Sequence, residues 1–126
     1  MANLTTYDGR FLDPEVKILA GSFAPAGTGA PTAKKGRRYT VARSDVGKFT
    51  ITLLDKYVEL LSVVASLQLA TAAASVVQVG TYDATAGTIV LQVLTESTGA
   101  LVAADIAANA NNRVNFVLFF KDSTVP

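Results

Sequence analysis

The chain contains no cysteine, no histidine and no tryptophan. Without cysteine it has neither disulfides nor thiolate metal ligands. Without histidine it loses the commonest general base and the commonest metal ligand together. Ser-His-Asp and Cys-His catalytic arrangements are therefore excluded. No apolar run reaches the roughly 18 residues that span a bilayer, and the richest stretch, Leu60 to Val79, is broken by Ser62, Ser66, Gln68, Thr71, Ser75 and Gln78. The first ten residues lack the basic start and apolar centre of a signal peptide, so the expectation is a soluble protein made in the cytosol. A phosphate loop is also missing, because Gly21, Gly27 and Gly29 precede neither a helix nor a Gly-Lys-Ser/Thr ending.

What remains is half apolar, with a mean hydropathy of +0.36 over 126 residues. That is too apolar for a disordered chain and fits one domain with one core. The net charge of +1 is unevenly divided. Residues 1–50 hold eight Lys/Arg and four Asp/Glu, whereas residues 51–126 hold three and six. A basic leading half and an acidic body can attract each other between copies.

Period-two alternation dominates after residue 38. Tyr39 to Arg43 and Lys48 to Leu53 predict a hairpin across Ser44–Gly47, with Phe49, Ile51 and Leu53 on one face. Val76 to Tyr82 and Thr88 to Thr95 predict a second hairpin across Asp83–Gly87. Strands are also expected at Glu15–Gly21, Val63–Leu69 and Arg113–Lys121. Leu54 to Leu61 allows a helical turn capped by Asp55, and a short helix fits residues 105–110. Such closely spaced strands, with no long amphipathic helix, predict an all-β fold, either a β-sandwich or a jelly-roll-like barrel. Ser22 to Gly36, built from Gly, Ala, Pro, Thr and Lys, reads as a flexible loop. The expected organisation is an extended N-terminal arm over residues 1–36 and a β domain over 37–126.

Few residues suggest chemistry. Asp55 and Glu59 would share one face of a helical turn, but Lys56 lies between them and a solvated face is the better reading. Lys34, Lys35, Arg37 and Arg38 form the densest charge in the chain. A solvated loop base, or one paired with acidic residues of a neighbour, suits them better than nucleic acid, which would call for a basic helix or an RNA-binding motif. Phe49, Phe116 and Phe120 read as core. Phe11 and Phe23 stand among residues too small to enclose them, as anchors that dock on a partner or fold back on the body. The last strand is apolar on both faces, which predicts a central position or cover by another subunit and adds Phe119 to the candidate interface.

Three stretches carry a resemblance. The opening Met-Ala-Asn, the run Gly47-Lys-Phe-Thr-Ile-Thr-Leu-Leu-Asp-Lys-Tyr57 and the closing run from Asn112 to Val125 are similar to small virion proteins of tailed bacteriophages. The similarity covers about residues 36–125 and brings no catalytic residue with it. It implies a capsid decoration, or cement, protein on the outer surface of the phage head, made in the host cytoplasm. Its implied partners are the major capsid protein and further copies of itself, as a dimer or trimer, with no cofactor, membrane or nucleic acid. A tail or head-fibre component would look much the same. A carbohydrate- or ligand-binding β-sandwich is the rival from another class, although such modules usually carry exposed aromatic platforms or acidic calcium clusters.

Overall fold

The computed structural model describes residues 16–121. Nine strands occur among them: β1 (Val16–Ala26), β2 (Gly29–Lys35), β3 (Tyr39–Asp45), β4 (Lys48–Leu53), β5 (Glu59–Gln68), β6 (Ser75–Asp83), β7 (Thr88–Ser97), β8 (Ala100–Ala103) and β9 (Arg113–Lys121). They build two antiparallel sheets, ordered β2-β1-β9-β5 and β3-β4-β7-β6, with β8 added along β7. The chain is all-β, and the sheets face each other as an open sandwich without closing into a barrel.

Alternation decides which side chains meet. From the first sheet Leu19, Phe23, Val114, Phe116, Leu118 and Phe120 point inward and are buried. From the second come Tyr39, Phe49, Ile51, Leu53, Ile89, Leu91 and Val93. The aromatic rings interlock: Phe23 lies 4.9 Å from Phe49, and Phe120 stacks on Tyr57 at 4.6 Å. Such packing supplies the cohesion that a disulfide-free chain of this size needs.

Both expected hairpins form, as β3–β4 and β6–β7. Gly47 turns the first with φ +65°, and a Cβ there would come within 2.7 Å of the Val93 and Ala104 carbonyls. Asp83 organises the second, its carboxylate accepting the Thr85 and Ala86 amides at 2.9 and 3.0 Å. β9 takes the central place its two-sided apolarity predicts, between β1 and β5.

The reading of Ser22–Gly36 as a flexible loop is overturned. β1 continues to Ala26, and β2 returns beside it through two register irregularities. The first strand pairs along the length of β9, from Val16 opposite Lys121 to Phe23 opposite Val114. Val16–Ala26 and Gly29–Lys35 are thus paired strands of the first sheet. Small side chains misled the sequence reading, because this strand takes its conformation from its partner and not from its own propensity.

Neither helical turn forms. Asp55 is engaged by Arg38, and Val58 already donates to the Lys121 carbonyl at 3.0 Å as β5 begins. Residues 104–112 run as an irregular strap. Its Ile106 side chain packs on the core and its Ile106 carbonyl accepts the Gly27 amide at 2.8 Å. Asn112, nearly buried, clasps two loops: its side chain accepts the Ala70 amide at 2.8 Å and donates to the Ala107 carbonyl at 2.9 Å.

Candidate interaction surface

The two outer faces differ in chemistry. On the β3-β4-β7-β6 sheet the cross-strand rows read Thr40–Thr52–Thr88 and Lys48–Gln92–Gln78, with Ala42–Thr50–Val90 between them. Threonines and glutamines alternate there with Ala42 and Val90, and an apolar row, Val76–Leu94–Ala103, lies at its far end with Val76 exposed.

On the β1-β9-β5 face the corresponding rows are Ile18–Phe119–Ser62 and Ala20–Val117–Val64. Val64 is 60% exposed and Ile18 44%, while Phe119 and Val117 lie half-buried between them. The next row, Ser22–Asn115–Ser66, is polar, and the opposite end carries Lys121 beside Glu59. An apolar centre with a polar rim is the anatomy of a protein–protein contact. Covering Ile18, Val64 and Phe119 would contribute roughly 1 kcal/mol apiece, about half the value of full burial.

The candidate interface residues are therefore not gathered in one place. Phe119 sits at the centre of this apolar face. Phe23 is wholly buried against Phe49 and Phe116 and cannot act as an anchor for a partner, so the fold-back alternative holds for it. Phe11 lies outside the described residues.

The basic run splits in two. Lys34 turns back onto the sandwich, donating to the Tyr39 carbonyl at 2.9 Å with its ammonium 4.3 Å from the Tyr39 ring centre. Arg38 adopts a left-handed φ of +70° and pairs with Asp55, which raises its already high pKa. The side chains of Lys35 and Arg37 have no partner among the described residues. Half of the apparent charge cluster is thus spent on holding the β2–β3 connection, and the other half faces solvent.

One ion pair escaped the sequence reading. Arg43 donates to both carboxylate oxygens of Asp105, at 2.9 and 2.8 Å, and the Gly47 amide donates to one of them at 2.9 Å. These donors hold the Asp105 carboxyl below the usual carboxylate range, Arg43 contributing most. The pair ties the strap to the β3–β4 turn. A separation of 62 residues hides it from any local pattern.

A shallow cavity of about 300 Å³ beside Arg38, Tyr39 and Leu54 has a mainly apolar lining. Among the described residues no group of three Cys, Asp or Glu is placed to hold a metal ion. Asp55 and Glu59, which would have faced one another on a helix, lie on a bend and a strand instead. No family model, curated protein or solved structure matches the chain.

Proposed function

We propose that this chain is a structural protein of a virion, a decoration protein that binds the outer surface of a tailed-phage head and clamps neighbouring major capsid proteins. The observation that supports it is the contiguous apolar patch at the centre of the outer β1-β9-β5 face, where Ile18, Phe119, Val117 and Val64 lie side by side. An apolar patch bordered by serines, Asn115 and charged residues suits a protein that lies flat on a larger surface. The motifs at Gly47–Tyr57 and Asn112–Val125 supply the phage context by resemblance. In this reading the chain performs no catalysis and needs no cofactor. Its binding free energy comes from apolar area repeated over many equivalent sites. Lys35 and Arg37, free to meet acidic groups, would speed or orient the encounter.

The test is to incubate the purified protein with undecorated heads and image them by cryo-electron microscopy. Density at regular positions on the outer shell, lost with Phe119→Ser, is the expected result. Bare shells would refute the head assignment, and recovery of the protein on tails or fibres would move it within the virion. Specific retention on a glycan array with no virion binding would favour the ligand-binding rival.

A further inference from the structure

Besides the four-residue β8, which pairs only with β7, the two sheets end in four edge strands, and three of these are visibly guarded. β2 carries Pro31, Lys34 and Lys35, a left-handed Ala33 and two register irregularities. β3 is short and bears Arg43 and Asp45. β6 is interrupted at Gly80 by a bulge between Val79 and Tyr82. Proline, charge, brevity and bulges are the devices that stop an edge from pairing with another chain.

β5 has fewer of them. It is ten residues long, Glu-Leu-Leu-Ser-Val-Val-Ala-Ser-Leu-Gln, with its single charge at the first position and no proline or glycine. Its bulge falls between Leu60 and Ser62, and from Ser62 to Gln68 the register against β9 is unbroken. Its inward side chains Val63, Ala65 and Leu67 are only partly buried, although they abut the core. Among the described residues no strand pairs with the other side of β5.

The same strand is close to a palindrome. Leu61-Ser-Val-Val-Ala-Ser-Leu67 reads nearly alike in both directions about Val64. Antiparallel pairing around a two-fold axis at Val64 sets Val64 against its own copy, Val63 against Ala65 and Ser62 against Ser66 within the unbroken register, and brings Leu61, at the bulge, beside Leu67. Every apolar residue then meets an apolar residue and every hydroxyl a hydroxyl, the pairings that stabilise a ladder. A closed two-fold contact requires this self-complementarity.

We infer that the occupant of this edge is a second copy of the chain, joined β5 to β5. The two four-stranded sheets become one continuous sheet, and the apolar rows merge as Val117–Val64–Val64–Val117 across the axis. The union covers the half-exposed flank and doubles the apolar outer face. It does not depend on a virion role and can fail or hold independently of it.

Sedimentation of the purified protein should show a dimer of twice the 13.1 kDa chain mass at about 100 μM, a concentration that saturates a low-micromolar contact. Val64→Lys places two like charges at the axis and should leave a folded monomer. Val117→Lys, on the central strand, should leave the dimer intact. Because the native chain has no cysteine, register can be read by mild oxidation of single-cysteine variants. A mixture of Ser62→Cys and Ser66→Cys chains should cross-link, since directly opposed Cβ atoms lie about 4.5–5.5 Å apart. Either variant alone should not, because like positions lie four residues apart along the strand, about 13 Å. A monomer at every concentration, a trimer, loss of the dimer in Val117→Lys, or equal cross-linking of Ser62→Cys with itself would each overturn the inference.

Discussion

Replacing Phe23 with alanine tests whether the first strand belongs to the body of the protein. Phe23 is fully enclosed, with Phe49 at 4.9 Å and Phe116 at 6.4 Å. A buried phenylalanine takes roughly 150–250 Å² out of water, worth about 4–6 kcal/mol at about 25 cal/mol per Å². An unfolded chain already hides part of that area, and Phe→Ala changes in cores cost about 3–5 kcal/mol. A loss of about 4 kcal/mol consumes a large part of the roughly 5–15 kcal/mol that holds a domain together. With a urea slope of about 1.5 kcal/mol per molar, the unfolding midpoint should fall by about 2.5 M. The paired control is Phe119→Ala, half-exposed on the outer face, where the loss should be about 1 kcal/mol. Equilibrium unfolding followed by circular dichroism measures both. Equal shifts for the two variants would refute the placement of Phe23 in the core. Should Phe23→Ala fail to fold, Phe23→Leu offers a milder cut of about 1–1.5 kcal/mol.

Other outcomes follow from the same contacts. Gly21→Ala should destabilise by roughly 1–3 kcal/mol, because its Cβ would fall 2.5 Å from the Tyr39 hydroxyl; an unchanged melting temperature would show that the ring can swing aside. Tyr82→Phe removes a hydroxyl that donates to the Tyr57 carbonyl at 2.7 Å and accepts the Tyr57 amide at 3.0 Å, and should cost about 1 kcal/mol in denaturant titrations. The Asp105 carboxyl titrates lower in the folded chain than in the unfolded one. Its contribution is therefore full above the unfolded value near 3.9 and is lost as pH falls through the lower folded value. Asp105→Asn should thus be less stable than the native chain at pH 7, with the gap closing in acid; a gap that ignores pH would assign the loss to packing. Changing Lys35 and Arg37 together to glutamine should leave the unfolding midpoint unaltered and weaken partner binding mainly at low salt, whereas a lowered midpoint would show that these charges serve the fold.

The legible parts of this fold are those where one strand states its own pattern. β4 alternates Phe49, Ile51 and Leu53 with threonines, and β9 is apolar on both sides, so hairpin and central position could both be read locally. β2 and the second half of β1 are built from Ala, Gly, Pro, Thr and Lys and have no pattern of their own. They pair with each other, and β1 is in turn held by β9, a partner some ninety residues away in the Phe23–Val114 pair. β8 is four residues long and hidden for the same reason. Phe119 was legible as an outward-facing aromatic because alternation sets it on the face opposite Phe116 and Phe120. Phe23 stayed open between docking on a partner and folding back, because isolation in sequence says nothing of isolation in space.

The order of the first sheet also sets an order of events during synthesis. β1 and β5 run side by side with β9 but never touch each other as paired strands. Both leave the ribosome well before their common partner, whose residues 113–121 come last among the nine strands. Until then Val16–Ala26 has only its local partner β2 and Glu59–Gln68 has no paired strand, and the pairings with β9 that complete both span a long stretch of chain. Such non-local closure is slow, typically milliseconds to seconds, and leaves a nascent chain open to pairing with its neighbours. A polysome crowded with these chains would accordingly be where misassembly begins, and β9 the strand whose arrival ends the risk.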